Sequence, residues 1–308
     1  MDKLDIAIIR ELTQGGLILP GKPGFTPSYR DLSKKLGIPF GTIRNRINNM
    51  YKLEFLKGTS MYPNPNLFKW LAGAYTLIVP PELNKAQVFD NLKSVEGFLS
   101  AHNFLGNKAW ITFVYRDVQD LERTLNLIKK IAGPVGTFSR IPFPPCPDSI
   151  TEAEARLMLH LSKNGLASYA ELGKSLNLST RTIMRRISKL SRENMIVSLA
   201  KLDYSKIAGA VPADLLIFFE NDKARAAGEP KVLDLVKDYL LLAALFDVVG
   251  MCSLVLPNAI LLKELAEKVG QIDGLKESSI DIVVEHAHDP KVLVQQLEKQ
   301  LTALKTQG

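Results

Sequence analysis

The chain has 308 residues, of which 46% are hydrophobic, and its 39 Lys and Arg against 32 Asp and Glu give a net charge of +7. This length suggests about two domains of ~150 residues each, with enough apolar side chains for ordinary cores. Two cysteines, Cys146 and Cys252, exclude a disulfide framework and a cysteine-based structural zinc site. The N-terminus lacks a secretory signal pattern, and the apolar stretch 240–262 is interrupted by Gly and Pro, so we expect a cytoplasmic protein without a membrane span.

The helical segments of the chain occur twice, at an offset of 140 residues. Residues 28–50 align without gaps with residues 168–190. The identical pairs include Ser28/Ser168, Tyr29/Tyr169, Leu32/Leu172, Thr42/Thr182, Ile43/Ile183 and Arg46/Arg186. The proline-rich segment 142–147 separates the two copies, because such a run continues neither a helix nor a central strand. Thr151 and Glu154 then have the spacing of a capping box, which predicts a new helix.

In chain order, each copy reads as helices followed by alternating strands and helices. The first copy opens with a helix through Ile6, Ile9 and Leu12 and continues with short helices at 28–36 and 41–52. Its second half predicts strands at 74–79, 98–103, 109–115 and 137–141, and helices at 85–93 and 118–131. The second copy predicts strands at 215–219, 242–248, 252–256 and 279–284, helices at 232–239 and 259–269, and an amphipathic tail helix at 290–304. The order β-α-β-β-α-β is the ferredoxin-like pattern.

The paired short helices have the features of a helix-turn-helix: a small turn, an apolar seam, and a polar or basic outer face on the second helix. The turns fall at 37–39 and 177–179, where Ser179 is also a predicted N-cap. The candidate DNA contacts are Phe40, Thr42, Arg44, Asn45, Arg46 and Asn48 in the first copy, and Ser179, Thr180, Arg181, Arg185, Arg186 and Lys189 in the second. Arg46 and Arg186 lie nearer the seam, where each could brace the helix or reach a phosphate.

Positive charge is concentrated in these two helical regions. Residues 28–57 hold seven Lys or Arg against two acids, and residues 168–201 hold the same numbers, so each region carries +5. The two regions sum to +10, which leaves +7 − 10 = −3 for the rest of the chain. This distribution is the electrostatic footprint of a protein that contacts DNA phosphates, although a solvated helix face in a protein–protein module has the same pattern.

With these residues the sequence resembles the Lrp/AsnC family of leucine-responsive regulators. The matching segments are 4–12, 42–47, 179–187 and 190–198, and the closest likeness is to the archaeal tandem form with two fused units. The resemblance implies an α+β fold with two repeats of a winged helix-turn-helix followed by a ferredoxin-like βαββαβ domain, often called RAM. It predicts a first winged unit at 1–66, a first RAM-like domain at 67–145, a second winged unit at 146–208 and a second RAM-like domain with its C-terminal helix at 209–308.

The same resemblance implies a sequence-specific transcription regulator that binds double-stranded DNA and responds to a small-molecule effector. It also implies an intramolecular pseudo-dimer of the RAM-like domains and a possible homodimer, for which the tail around Leu293–Leu304 is a candidate contact. The family's effector site resembles a glycine followed by an aspartate at a turn between strands. Here the glycines stand in Gly106-Asn107-Lys108 and Gly250-Met251 without that aspartate, so a different effector or a plain tight turn are the alternatives.

Known catalytic motifs are absent from the sequence, so we predict no catalytic residue, no metal site, no cofactor and no enzymatic activity. His286 and His288 share one side of a strand, but a metal site needs a third ligand, and a solvated strand end is the alternative. The chain is also similar to siroheme decarboxylases, which use the same architecture as paired units and whose histidine and tryptophan match His102 and Trp110. A tetrapyrrole enzyme and an architectural DNA-binding protein therefore remain alternatives to the regulator.

Overall fold

The computed structural model describes residues 1–13, 29–165, 167–207, 209–246 and 248–306. Its fold is α+β, with two repeats of a winged helix-turn-helix followed by a ferredoxin-like βαββαβ domain. The first repeat contains α1 (Lys3–Leu12), α2 (Tyr29–Leu36), α3 (Phe40–Lys52), β1 (Leu56–Pro63), β2 (Leu71–Ile78), α4 (Lys85–Leu92), β3 (Phe98–Phe104), β4 (Lys108–Tyr115), α5 (Val118–Ala132) and β5 (Gly136–Ile141). Residue 28, which the sequence places at the start of the helix-turn-helix, lies outside the described residues.

The second repeat follows the same order and adds a C-terminal helix. It contains α6 (Glu152–Lys163), α7 (Tyr169–Leu176), α8 (Thr180–Arg192), β6 (Ile196–Leu202), β7 (Val211–Phe219), α9 (Asp222–Val236), β8 (Leu240–Phe246), β9 (Val249–Leu256), α10 (Ala259–Gly270), β10 (Leu275–His288) and α11 (Lys291–Thr306). Short 3-10 turns at Pro65–Phe68 and Tyr204–Lys206 follow β1 and β6.

Local sequence signals set several helix starts. The predicted capping box at Thr151 is confirmed, since Glu154 at the third helical position bonds back to the Thr151 backbone. Asp2 forms the equivalent box with Asp5 at the start of α1. The tight turns of the two helix-turn-helix motifs place Gly37 and Asn177 in left-handed backbone conformations, which suits these residue types.

Eight strands form one antiparallel sheet in the order β5-β2-β4-β3-β10-β7-β9-β8. The two ferredoxin-like halves are joined edge to edge, because β3 of the first half pairs with the C-terminal part of β10. One face of the sheet is covered by α4, α5, α9 and α10 through apolar side chains such as Phe89, Ile128, Val232 and Leu265. This arrangement leaves the other face for the winged units.

The winged units cover that face through a shared element. Strand β1 of the first unit pairs antiparallel with β6 of the second, from Leu56 opposite Leu202 to Pro63 opposite Ile196, and forms a separate two-stranded sheet. Tyr62 and Val197 of this wing sheet join the core between the two sheets. Each helix-turn-helix therefore depends on the other repeat for the partner of its wing strand.

Three sequence-based predictions need correction. Helix α9 begins at Asp222, ten residues before the predicted start at 232, and the Asn221 side chain caps it by accepting a hydrogen bond from the Ala224 backbone N–H. The predicted strand 279–284 is the centre of the much longer β10, whose two halves pair with different strands. The tail was expected to contact a second chain, but Leu293 and Leu297 of α11 are buried within this one.

The tail helix packs on α6 and β1, where Leu297 belongs to the core of the second winged unit. An apolar stripe shows that a helix packs against something, and only the tertiary structure identifies the partner. Within the part of the chain that the structure describes, no helix combines the length and apolar character needed to cross a membrane.

Candidate nucleic-acid interface and central cavity

The second helix of each helix-turn-helix has a buried seam and an exposed outer face. In α3 the buried residues are Ile43, Ile47 and Met50, and in α8 they are Ile183, Ile187 and Leu190. The predicted DNA contacts that are exposed are Phe40, Thr42, Arg44, Asn45, Asn48, Ser179, Thr180, Arg181 and Arg185. Those that are partly buried are Arg46, Arg186 and Lys189.

Two of the candidate cations are bound to acids of their own unit. Arg46 forms ion pairs with Asp2 and Asp5 at the start of α1. Lys189 forms an ion pair of 2.7 Å with Glu154 at the start of α6. These contacts brace each recognition helix against the first helix of its unit. Arg46 and Lys189 are therefore positioning residues first.

The other three arginines on the outer faces differ from these. Arg44, Arg181 and Arg185 are exposed, and none has an ion-pair partner among the described residues. In the second unit Ser179 caps α8 by accepting a hydrogen bond from the Thr182 backbone N–H at 3.2 Å, as predicted. At the same position of the first unit, Pro39 gives no side-chain cap.

Of the two predicted effector turns, one is a turn in the structure and the other lies within a strand. The first is a true turn between β3 and β4, where Lys85 donates to the carbonyl of Gly106 at 2.7 Å and Lys108 is paired with Asp281. The second predicted turn was misplaced. Gly250 and Met251 lie inside strand β9, because β9 already begins at Val249, before the glycine that was expected to mark the turn. Met251 instead lines an interior cavity.

This central cavity lies between the wing sheet and the junction of β3 with β10, and it has a volume of about 90 Å³. Strand register explains which side chains line it, since cross-strand neighbours share one face of a sheet. Trp110, His102 and His286 form one row across β4, β3 and β10. Thr112, Ser100 and His288 form the next row. The wing side contributes Tyr62, Leu199, Ala200 and Leu202, and Tyr204 follows the wing.

A buried polar chain supports the first row. His102 contacts Asp214 of β7 through Nδ1 and Oδ2, and Ser253 of β9 donates to the other carboxylate oxygen of Asp214 at 2.7 Å. Asp214 is 1% exposed. Each of its oxygens makes one of these contacts, and Asp214 is not among the described residues that line the cavity.

The two histidines of β10 are held in their neutral form. Burial, with the nearby His102 and His288, places the pKa of His286 well below its usual range. Burial and the nearby Lys201 lower the pKa of His288 to about 3. Both histidines line the cavity and are only partly exposed, so the prediction of a solvated strand end was wrong. No group of His, Cys, Asp and Glu within the described ranges has the geometry of a metal site.

Unpaired polar atoms gather at this cavity. Trp110 is 1% exposed, and its Nε1 has no hydrogen-bond partner among the described residues. Neither ring nitrogen of His288 has one. A buried donor without a partner costs about 1–3 kcal/mol, so such atoms call for a ligand or water. Sequence reasoning singled out His102 and Trp110 but missed Asp214, 112 residues from His102, because no periodicity links them.

The cysteines carry no nucleophile signature. Burial raises the pKa of the Cys146 thiol to about 11 and that of Cys252 to about 12. Both thiols are therefore protonated near neutral pH.

Comparisons with known proteins place this geometry in context. The sequence model of a winged helix-turn-helix DNA-binding family matches residues 152–197, so the second repeat carries a domain of this class. None of the curated protein sequences matches the chain. The whole fold is similar to the crystal structure of the siroheme decarboxylase NirDL, with 12% identity, a TM-score of 0.52, and coverage of 98% of this chain and 99% of that one.

Two further solved structures match all or about half of the chain. NirDL in complex with an iron-uroporphyrin III analogue gives 12% identity, a TM-score of 0.51 and the same coverage. Escherichia coli AsnC gives 20% identity and a TM-score of 0.33, over 49% of this chain and 97% of that one. At these identities the likeness to NirDL is one of fold, and function has to be argued from the sites themselves.

Proposed function

We propose that the chain is a sequence-specific DNA-binding transcription regulator, acting in the cytoplasm, that contacts duplex DNA through the outer faces of α3 and α8. The observation that carries the proposal is the set of three exposed arginines, Arg44, Arg181 and Arg185, that have no acidic partner among the described residues. A cation not neutralised by its own protein is available to replace counterions on a phosphate backbone.

Other cations on the same two helices form ion pairs with acids of their own unit. On the same helices, Arg46 and Lys189 are bound to Asp5 and Glu154. These two braced cations are partly buried, whereas the three arginines without an acidic partner among the described residues are exposed. The matched family model over residues 152–197 supports the same reading for the second unit.

The two units are expected to read different DNA sequences. Their outer faces differ, with Phe40 and Arg44 in one and Thr180, Arg181 and Arg185 in the other. Base readout depends on such side chains, and the shared wing sheet keeps both units in one assembly. The preferred site of one chain is therefore an asymmetric composite of two half-sites rather than a palindrome.

Selection of bound sequences from a random duplex pool tests this function with the full chain. We expect two different half-site motifs at a fixed spacing. With the double variant Arg44→Ala, Arg185→Ala, the selected motifs should show weaker base preferences in both half-sites. The control Lys93→Ala, on the sheet domain, should select the same motifs as the wild type. Tight binding without any motif would favour an architectural protein, and no binding would overturn the proposal.

A second candidate function is a tetrapyrrole decarboxylase. It is favoured by the contact of His102 with Asp214 beside Trp110, within a fold similar to NirDL over the full chain. Two features of the cavity count against it. A cavity of about 150 Å³ holds one benzene, so about 90 Å³ has no room for a macrocycle. None of the described residues that line it is a Lys or Arg that could meet the carboxylates of siroheme.

Anaerobic incubation with siroheme, followed by mass spectrometry of the extracted tetrapyrrole, decides between the two functions. We expect unchanged siroheme with the wild-type chain. Loss of carboxyl groups that disappears in His102→Ala would establish the enzyme instead.

A further inference from the structure

The central cavity has the character of a ligand site that nothing in the DNA-binding role uses. We infer that it binds a small, uncharged, single-ring molecule with a hydrogen-bonding group, and that this molecule is the effector of the regulator. The effector part of this inference rests on the proposed function, whereas the ligand site rests on the cavity alone.

The size of the cavity limits the ligand. Its volume of about 90 Å³ lies below the roughly 150 Å³ that accommodates a benzene molecule in a protein interior. A single ring is therefore the upper limit, and seating one requires a small outward displacement of the cavity wall. A molecule with several fused rings does not fit.

The lining fixes the charge of the ligand. The described residues around the cavity include no Lys, Arg, Asp or Glu. Asp214, which contacts His102, is not part of the lining, and His286 and His288 have pKa values shifted in favour of the neutral form. An ion placed here would lose its hydration without gaining a counter-charge, so the ligand is neutral.

The unpaired atoms fix its polarity. Ser100 and Thr112 already bond to each other at 2.6 Å, whereas the Trp110 Nε1–H donor and both His288 nitrogens are buried without a hydrogen-bond partner among the described residues. A neutral imidazole offers one donor and one acceptor. A hydroxyl on an aromatic ring both donates and accepts, so a phenol-like group satisfies this set better than a pure hydrocarbon.

The cavity is also placed where a ligand would affect the DNA-binding units. Its outer wall is formed by Tyr62 of β1 and by Leu199, Ala200 and Leu202 of β6, which are the wing strands of both units. An outer cleft that contains Lys57 and Lys201 reaches Tyr204, His286 and His288 from the solvent side. Displacing the wing sheet shifts two recognition helices at once, which couples occupancy to DNA affinity.

Fluorine NMR of the full chain tests the ligand site with three probes of matched size. We expect 4-fluorophenol to bind, 4-fluorotoluene to bind about three- to tenfold more weakly because it forms no hydrogen bond, and 4-fluorobenzoate not to bind. Trp110→Phe should reduce 4-fluorophenol binding to the level of 4-fluorotoluene. Trp70→Phe is the matched control, because Trp70 packs on Phe68 and is not among the residues that line the cavity, and it should leave binding unchanged.

A second variant tests the site independently, in case Trp110→Phe disturbs the fold. Ala244 lines the cavity, and Ala244→Leu fills it without removing a polar group, so neither neutral probe should bind while the circular dichroism spectrum stays that of the wild type. Absence of 4-fluorophenol binding to the wild type would mean that only water occupies the cavity and would overturn the site. Equal binding to the wild type and both cavity variants would place the probe elsewhere and would also overturn it.

Titration of the selected DNA with and without 4-fluorophenol tests the effector role. We expect DNA affinity to change by about fivefold or more, and the affinity for the probe to change by the same factor when DNA is present. Probe binding with unchanged DNA affinity would overturn the effector role. Failure to bind DNA without any probe would overturn the proposed function and the effector role, while the NMR result would still decide whether the site exists.

Discussion

The two winged units share one architecture but brace their recognition helices differently. In each, the acid at the third position of the first helix closes a capping box and also binds a cation of the recognition helix. The pair is Asp5 with Arg46 in the first unit and Glu154 with Lys189 in the second. By sequence alignment Arg46 corresponds to Arg186, not to Lys189, so equivalent positions do not have equivalent roles.

This difference decides which cations remain for DNA. The first unit keeps one unpaired arginine on its outer face, Arg44, whereas the second keeps Arg181 and Arg185, again among the described residues. The second unit also has a side-chain cap at Ser179, where the first has Pro39. We therefore expect the second unit to contribute more of the electrostatic attraction to DNA. We also expect its recognition helix to be the more stable of the two at its N-terminus.

The largest expected effect is the salt dependence of DNA affinity. Each phosphate contact contributes about −0.9 to the log–log slope, so four to eight contacts reduce the affinity by orders of magnitude between low and moderate salt. Removing both Arg181 and Arg185 should make the slope less steep than removing Arg44 does, because it withdraws more positive charge from the phosphates. Filter binding or fluorescence anisotropy over a salt series measures both. A near-zero wild-type slope would contradict DNA binding, and equal changes for the two units would contradict their inequality.

Single arginine substitutions should separate base reading from bracing. Arg44→Ala and Arg185→Ala are each expected to cost about 1–3 kcal/mol in DNA binding and to relax one position of their own half-site. Arg46→Ala is the matched control, because it removes a brace to Asp2 and Asp5 and should lower thermal stability without changing base preference. Unaltered specificity in both Arg44→Ala and Arg185→Ala would show that these helices do not read bases.

Side-chain capping of the recognition helix should matter in the second unit alone. Ser179→Ala removes the acceptor for the Thr182 N–H and is expected to cost about 1 kcal/mol of stability. Pro39→Ala in the first unit removes no side-chain cap and should not show that loss. Chemical denaturation of the two variants measures the difference, and an equal loss in both would mean that the cap contributes nothing specific.

The smallest expected effect concerns the brace of the second unit. Burial raises the pKa of Glu154, but the hydrogen bonds from Lys189 and Thr151 outweigh it and leave the pKa below its usual value. A carboxyl whose folded-state pKa is lowered stabilises the protein above its unfolded pKa of about 4.5, and this contribution is lost as the pH falls through the folded-state pKa. Glu154→Gln keeps the capping box but removes this pH dependence.

At neutral pH we expect Glu154→Gln to lower the melting temperature by about 1–3 °C, a modest change because Lys189 is partly exposed to solvent. Glu152→Gln is the control, since Glu152 makes only an exposed pair with Arg156. Differential scanning calorimetry between pH 3 and pH 7 compares them. If the melting temperature of Glu154→Gln depends on pH in the same way as that of the wild type, the ion pair of Glu154 with Lys189 does not contribute to stability.

The sequence by itself determined the repeat, the helix-turn-helix segments, the capping signals at Thr151 and Ser179, and the order of strands and helices in the ferredoxin-like domains. These features depend on residues close together in the chain, whose periodicity and capping chemistry are local. It misjudged the start of α9, which the Asn221 side chain caps ten residues before the predicted one. It also gave the tail helix a partner in another chain, which its apolar stripe could not identify.

Only the tertiary structure decided how the repeats combine. The pairing of β1 with β6 and of β3 with β10 joins strands more than 100 residues apart, and nothing in either strand specifies its partner. The cavity follows from these pairings, because register alone brings Trp110, His102 and His286 into one row and lets Asp214 reach His102. Register between distant strands is set by the packing of the whole core rather than by local pattern, which is why the sequence left this site as separate residues.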